Sequence, residues 1–199
     1  MKNAEALIQV EWKRRKNPGY YREIDRACTF IVPEGVRVLE LGCGTGRLLA
    51  ATRPCYGLGI DIDGDKIAAA QQIHTGQENL EFRVGDVEEM DYSGMEPFDY
   101  IIISDLLPVL RDVQKILTGL DAVCTPRTRL IITYHSNVWR PVLALATLLG
   151  RRSPDPSYNW LSTHDIQNLL ALSGFEEVTH SGRTLLPVVT YHFVLNLIF

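Results

Sequence analysis

The chain has 199 residues, of which 46% are hydrophobic and 22% charged, and its formal net charge is −4. This composition is typical of a globular protein with one core, and it excludes a broad basic surface for nucleic acid. The cysteines form no C-x-x-C pair and lie at no metal-ligand spacing from a histidine, so we expect neither a disulfide framework nor a metal site. Because the N-terminus lacks a signal-like apolar core and no uninterrupted apolar tract spans a bilayer, we expect a cytoplasmic protein, with peripheral membrane contact left open.

Short apolar runs alternate with helical patterns, which predicts an α/β fold with a mostly parallel sheet covered on both faces. In chain order, the predicted helices cover residues 4–16, 20–31, from about 47, 65–73, 112–123 and 162–173. The predicted strands cover residues 36–41, 56–60, 80–84, 98–104, 130–134 and 175–179. The apolar segment 138–149 is expected to form a buried helix or a lid that faces a substrate.

The first predicted strand runs into the loop Gly42-Cys43-Gly44-Thr45-Gly46, and a helix follows. Glycine at every second position permits positive φ and lets a ligand lie against bare backbone. The dinucleotide fingerprint G-x-G-x-x-G is not met, because Arg47 stands where its third glycine belongs. The loop therefore predicts a nucleotide-type ligand and argues against a nicotinamide-dependent oxidoreductase.

Two aspartates follow at the tips of the next two strands. Asp61 lies 19 residues beyond Gly42, near the spacing expected for an acidic residue that binds ribose hydroxyls. Asp86 follows the third strand, where a carboxylate can accept a hydrogen bond from an exocyclic amine such as that of adenine. A helix N-cap is the structural alternative for Asp61, although Asp63 or Asp65 can supply that cap.

These residues, VLELGCGTGRLL most of all, resemble the motifs of class I S-adenosylmethionine-dependent methyltransferases over residues 36–134. The resemblance implies a three-layer Rossmann-like sandwich with a mostly parallel seven-stranded sheet, and S-adenosylmethionine as cofactor, converted to S-adenosylhomocysteine. The class usually ends with an antiparallel seventh strand. Residues 191–199 are expected to form it, with an incomplete closing strand as the alternative.

The resemblance also assigns residues to the cofactor. The glycine loop and Glu40 would line the methionine moiety, Asp61 would bind the ribose hydroxyls, and Ile62 would pack on adenine. Asp86 and Val87 would bind the adenine edge. The expected cofactor-binding residues are therefore Glu40, Gly42, Gly44, Gly46, Asp61, Ile62, Asp86, Val87, Ser104 and Tyr21.

A narrower resemblance concerns the acceptor. Residues 15–21, 104–107, 111–114, 159–161 and 173–175 resemble a bacterial methyltransferase group often associated with glycosyltransferases. The implied acceptor is a small molecule, a sugar, or a glycan-linked or lipid-linked group. The N/D-P-P-Y/F motif of enzymes that methylate base amino groups is replaced by Ser-Asp-Leu-Leu-Pro, which disfavours a nucleic-acid acceptor.

We expect one methyltransferase domain with three parts. These are an N-terminal helical lid over residues 1–33, a cofactor-binding core over 34–135, and a substrate-side segment with the C-terminal strands over 136–199. The lid would be mobile without cofactor and would bring Tyr21 over the cofactor. The oligomeric state is left open by the sequence.

Methyl transfer from a sulfonium is an in-line displacement that requires alignment and, for a hydroxyl acceptor, removal of a proton, but no metal. The two candidate catalytic residues are His135, after the fifth strand, and Asp105, after the fourth. His135 could instead line the pocket, and Asp105 could cap a turn or bind the cofactor amine beside Ser104. The alternative function is a catalytically silent cofactor-binding module that partners another enzyme, such as a glycosyltransferase.

Overall fold

The computed structural model describes residues 18–134, 159, 161–185 and 190–198. The helices in this part of the chain are α1 (Pro18–Ile31), α2 (Arg47–Ala51), α3 (Gly64–Ile73), α4 (Val113–Gly119) and α5 (Thr163–Leu172), with 3-10 turns at Leu107–Val109 and Leu120–Val123. The strands are β1 (Arg37–Leu41), β2 (Tyr56–Asp61), β3 (Leu80–Val84), β4 (Tyr100–Ser104), β5 (Arg129–Tyr134), β6 (Glu176–Leu185) and β7 (Thr190–Ile198).

The seven strands form one sheet in the order β3-β2-β1-β4-β5-β7-β6. Strands β1 to β5 pair in parallel, whereas β7 is antiparallel to both of its neighbours, β5 and β6. The predicted mostly parallel α/β sheet is therefore confirmed. The expected closing strand is present as β7 and pairs on both sides.

Two predicted elements differ from the structure in extent. The strand predicted at 175–179 continues to Leu185, because it pairs with β7 along almost its whole length. The helix predicted at 112–123 divides at Gly119, where α4 ends and a 3-10 turn begins. Glycine is a poor helix former, which explains the break. The predicted helix at 4–16 and the apolar segment 138–149 lie outside the described residues.

The sheet separates two clusters of buried side chains. Leu39 and Leu41 of β1 point into one cluster, and Val38 points into the other, as the alternation of a strand requires. Helices α4 and α5 cover the first cluster, through Ile116, Leu117, Ile166 and Leu170. Helices α1, α2 and α3 cover the second, through Ile24, Cys28, Leu48 and Ile67. The result is the predicted three-layer arrangement.

Phe82 of β3 packs where two glycines leave space. A Cβ added at Gly46 would lie 2.2 Å from the Phe82 ring, and one added at Gly59 would lie 2.9 Å from it. Gly46 also has a φ of +71°, which L side chains rarely adopt. The aromatic ring of β3 thus packs against both β2 and the loop after β1, and this packing requires glycine at both positions.

We predict that Gly46→Ala destabilises the protein by two separable effects. The left-handed backbone costs about 1–2 kcal/mol, and the overlap with Phe82 adds about 1–3 kcal/mol. Gly76→Ala is the matched control, because Gly76 has a φ of +86° and a Cβ there would meet nothing within 4 Å. Urea unfolding should show the larger loss for Gly46→Ala, and equal losses would contradict the packing argument.

Candidate functional site

The candidate site lies at the carboxyl edge of the parallel strands. Strand β1 pairs with β2 on one side and with β4 on the other, so the chain order reverses at β1. Open α/β sheets bind ligands at such a reversal, outside the carboxyl ends of the strands. The glycine loop follows β1, Asp61 ends β2 and Ser104 ends β4, so the fold brings these predicted residues to one edge.

The Asp61 carboxylate holds the glycine loop. Its Oδ2 atom accepts a hydrogen bond of 2.8 Å from the Gly44 N–H, and its Oδ1 atom accepts one of 2.9 Å from the Asp63 N–H. The Lys66 Nζ atom lies 3.8 Å from Oδ1. Asp61 is buried, yet each carboxylate oxygen can accept a further hydrogen bond. The loop-holding role was not predicted from the sequence, and it is compatible with ribose binding.

The three loop glycines have positive φ but different surroundings. The φ angles are +73° at Gly42, +56° at Gly44 and +71° at Gly46. A Cβ at Gly42 would lie 2.9 Å from the flexible end of the Leu106 side chain, whereas a Cβ at Gly46 would overlap the Phe82 ring, so packing demands glycine at position 46. A Cβ at Gly44 would meet nothing within 4 Å. Gly44 therefore presents bare backbone to open space, as a ligand cradle requires.

Glu40 lies beneath the loop, inside β1, and is buried. Its Oε2 atom accepts a hydrogen bond of 2.9 Å from the Leu49 N–H of α2. Burial raises the pKa of Glu40 to about 8, although the Leu49 hydrogen bond and the charge of Arg47 oppose this rise. Glu40 thus fixes the first turn of α2, a contact that the sequence did not predict for it.

Arg47 joins the start of α2 to the N-terminal helix α1. Its guanidinium lies 5.4 Å from the centre of the Tyr21 ring and forms an ion pair with Asp25. Ile24 and Cys28 of α1 are buried in the core. Tyr21 therefore lies beside the start of α2, and its contact with the cofactor stays a prediction. The mobile lid over residues 1–33 stays a prediction, and residues 1–17 of it lie outside the described part of the chain.

An exposed apolar patch adjoins Asp61. Ile62 is 68% exposed and Val84, at the tip of β3, is 59% exposed, which is high for large apolar side chains. Beyond this tip, the Asp86 Oδ1 atom accepts a hydrogen bond of 3.0 Å from the Glu88 N–H. Val87 is buried, and its carbonyl accepts one of 3.2 Å from the Tyr92 hydroxyl. The turn after β3 is thereby fixed beside an apolar surface suited to a flat ring.

Asp105 follows β4 in a left-handed conformation, with a φ of +54°. Its N–H donates a hydrogen bond of 3.0 Å to the Thr133 carbonyl, and Ser104 Oγ lies 3.0 Å from Thr133 Oγ1. Such a conformation costs a non-glycine residue about 1–3 kcal/mol and is concentrated at functional sites. The other candidate catalytic residue, His135, lies outside the described residues.

Two of the segments that carry the narrower resemblance, residues 111–114 and 173–175, meet in the structure, and a third, through Asn159, meets the turn at residues 107–110. The Asn159 N–H donates a hydrogen bond of 3.0 Å to the Pro108 carbonyl, and its side-chain amide donates to the Leu110 carbonyl. The Gln114 side chain donates a hydrogen bond of 2.8 Å to Ser173 Oγ. Asn159 therefore braces the turn that follows Asp105, and Gln114 joins α4 to the end of α5.

Comparison with known proteins decides the family. Residues 33–179 match the model of a family described as a methyltransferase domain. The chain belongs to this methyltransferase family. The predicted enzyme class, fold class and cofactor, S-adenosylmethionine, are thereby confirmed.

Curated relatives of this methyltransferase include the ubiquinone biosynthesis O-methyltransferase of Bradyrhizobium sp. strain ORS 278, which is 29% identical over 132 residues. That match covers 63% of this chain and 51% of the relative. The chain thus spans about half the length of the first curated relatives it matches.

Solved structures share the fold. The magnesium protoporphyrin IX methyltransferase of Synechocystis PCC 6803, solved with bound S-adenosylhomocysteine, superposes with a TM-score of 0.68 at 19% identity, covering 90% of this chain and 83% of that one. A methyltransferase in complex with the Trm112 activator of Haloferax volcanii superposes with a TM-score of 0.73 at 16% identity, covering 94% of each chain.

The described residues contain no helix that is both long and apolar enough to cross a membrane. They also contain no group of three or more histidine, cysteine or acidic side chains placed to hold a metal ion.

We predict that Glu40 makes the stability of the apoprotein depend on pH. Its folded-state pKa of about 8 lies above the ordinary value of 4.5. The folded protein therefore holds this proton more tightly than the unfolded chain does. The resulting stabilisation is fully present below pH 4.5 and is lost as the pH rises from 4.5 through 8. One such group lowers the free energy of unfolding by up to about 1.4 kcal/mol per pH unit in this window.

Glu40→Gln removes the titration but keeps an oxygen that can accept from Leu49. Urea unfolding of both proteins between about pH 5 and pH 8 measures the effect. The wild-type free energy of unfolding should fall relative to that of Glu40→Gln as pH rises. Parallel curves would show that Glu40 does not titrate in this range.

Proposed function

We propose that this methyltransferase moves the methyl group of S-adenosylmethionine to a hydroxyl of a small-molecule, sugar, or glycan- or lipid-linked acceptor, without a metal ion. The observation that carries the cofactor part is the Gly44 backbone, which faces open space beside the Asp61 carboxylate. The choice of a hydroxyl is supported by the curated relatives, which are named O-methyltransferases. The acceptor remains a proposal because this chain spans about half of their length.

The residues at the carboxyl edge fit the cofactor. Gly44 would hold the methionine part against its backbone, Asp61 would accept hydrogen bonds from the ribose hydroxyls, and Ile62 would pack on the adenine ring. When bound, S-adenosylmethionine supplies an electrophilic methyl group on a sulfonium. Asp86 lies two residues beyond the end of β3 and would accept a hydrogen bond from the adenine amine.

The protein must then align the acceptor, exclude water and take up the hydroxyl proton. Orientation of two reactants contributes up to about 7–11 kcal/mol to lowering a barrier, and a positioned base adds a factor of about 10²–10⁴. We propose His135 as the base, since it directly follows β5 in the sequence and β5 pairs with β4 in the sheet. Asp105, held in its left-handed conformation, is the second candidate and an alternative partner for the cofactor amine.

A catalytically silent cofactor-binding module is the competing function. It would retain the glycine loop and Asp61 but would transfer no methyl group. Cofactor binding without turnover on a panel of phenolic, sugar and lipid-linked hydroxyl acceptors would favour it.

We predict that Asp61→Ala weakens S-adenosylmethionine binding by about 1.5–3 kcal/mol, because two ribose hydroxyls lose a charged acceptor and Gly44 loses its anchor. Isothermal titration measures the change. The control is Asp63→Ala, which removes the N-cap of α3, where Asp63 accepts from the Asp65 and Lys66 N–H groups. This variant should lose about 0.5–2 kcal/mol of stability and keep its cofactor affinity. Unchanged affinity in folded Asp61→Ala would refute the ribose assignment.

We predict that His135→Ala lowers kcat at least about tenfold and leaves cofactor affinity nearly unchanged, since a base acts only in the chemical step. Asp105→Asn should weaken cofactor binding as well if Asp105 holds the methionine amine. Steady-state kinetics and isothermal titration separate the two effects.

The same assays define the contrary outcomes. A normal rate in His135→Ala, with an inactive Asp105→Asn that binds cofactor normally, would make Asp105 the base. Activity is measured with and without EDTA, and an activity that EDTA abolishes and magnesium restores would contradict a metal-independent mechanism.

A further inference from the structure

His74, at the end of α3, contacts the glycine loop. Its Nε2 atom lies 3.1 Å from the Thr45 carbonyl oxygen. A carbonyl only accepts hydrogen bonds, so Nε2 carries the hydrogen and donates it. The bond therefore connects a helix that follows β2 to the loop that follows β1.

Packing fixes the imidazole in this position. The His74 ring stacks on Phe82, with 5.4 Å between ring centres and 29° between planes. Its Cδ2 atom would lie 3.3 Å from a Cβ at Gly46. The Nδ1 atom is buried and has no hydrogen-bond partner among the described residues. Among the described residues, the ring therefore hydrogen-bonds through Nε2 alone, to the Thr45 carbonyl of the loop.

The contact restrains the peptide group between Thr45 and Gly46. The Gly46 N–H donates a hydrogen bond of 2.9 Å to the Cys43 carbonyl, and the Thr45 carbonyl accepts from His74. In a trans peptide these two groups point in opposite directions, so the peptide plane is held at both ends. Without His74, one end is released next to a glycine, the residue with the greatest backbone freedom.

We infer that His74 is a positioning residue for the cofactor-binding loop: through the Thr45 carbonyl it holds the loop in its binding conformation before the cofactor arrives. The inference rests on the proposed role of the loop in binding S-adenosylmethionine. Ordering a loop during binding lowers affinity, so a loop ordered in advance binds more tightly. His74 acts from the side of Phe82 and α3, without contacting the cofactor.

The test compares His74→Leu, which removes the donor, with His74→Gln, whose side-chain amide can restore it. Isothermal titration with S-adenosylhomocysteine should show about 3- to 10-fold weaker binding for His74→Leu, as expected for one lost hydrogen bond, and a change within about twofold for His74→Gln. In the apoprotein, hydrogen exchange of the amides of residues 44–49 should be faster in His74→Leu alone.

Gln71→Leu is the matched control. Gln71 lies on the same helix and donates a hydrogen bond of 3.1 Å to the Phe82 carbonyl, so it joins α3 to β3 rather than to the loop. This variant should bind S-adenosylhomocysteine as wild type does. Urea unfolding of all three variants checks that each is folded under the conditions of the titration.

Three results would overturn the inference. The first is that His74→Leu equals wild type in affinity and exchange, the second is that His74→Gln binds as weakly as His74→Leu, and the third is that Gln71→Leu weakens binding equally. The second result would assign the effect to ring packing, and the third to docking of α3 on the sheet. Wild-type protein that fails to bind S-adenosylhomocysteine would contradict the proposed function instead, and the apoprotein exchange rates would still decide the role of His74.

Discussion

The hydrogen bond from the Gly44 N–H to the Asp61 carboxylate connects the two strand tips on which the site depends. Strands β1 and β2 are parallel neighbours in register, with Leu41 opposite Ile60, so their carboxyl ends arrive together. The loop after β1 then turns back over the tip of β2, where the Gly42 and Cys43 N–H groups donate to the Ile60 carbonyl. A carboxylate that holds the loop from within the sheet leaves the outer side of Gly44 open.

Side chains below the loop support it from three directions. Phe82 fills the space beside Gly46, and His74 stacks on Phe82 and donates a hydrogen bond to the Thr45 carbonyl. Glu40, on β1, accepts a hydrogen bond from the Leu49 N–H. Close packing makes such a support rigid, because interiors with few voids transmit small displacements. The loop is thus ordered by its surroundings, although its own glycines favour disorder.

Charged side chains are concentrated around the glycine loop and the start of α2. Glu40 is buried, and the positive charge of Arg47 offsets part of the desolvation that raises its pKa. Arg47, which begins α2 directly after the glycine loop, pairs with Asp25 of α1 and lies over Tyr21, so one side chain connects α1 to the end of this loop. The arrangement explains why arginine stands at the position where a dinucleotide loop has its third glycine. Its side chain ties α1 to the loop, a function that glycine cannot perform.

The sequence by itself determined the α/β class, the strands β1 to β5 and the glycine loop with Asp61 at the next strand tip. These features depend on contiguous residues, through strand periodicity and the backbone freedom of glycine. Only the tertiary structure decided that Asp61 also holds Gly44, that Phe82 requires glycine at 46, and that His74 reaches Thr45 across 29 residues. Such contacts depend on strand order and register, which bring distant residues together and leave no periodic signal in the chain.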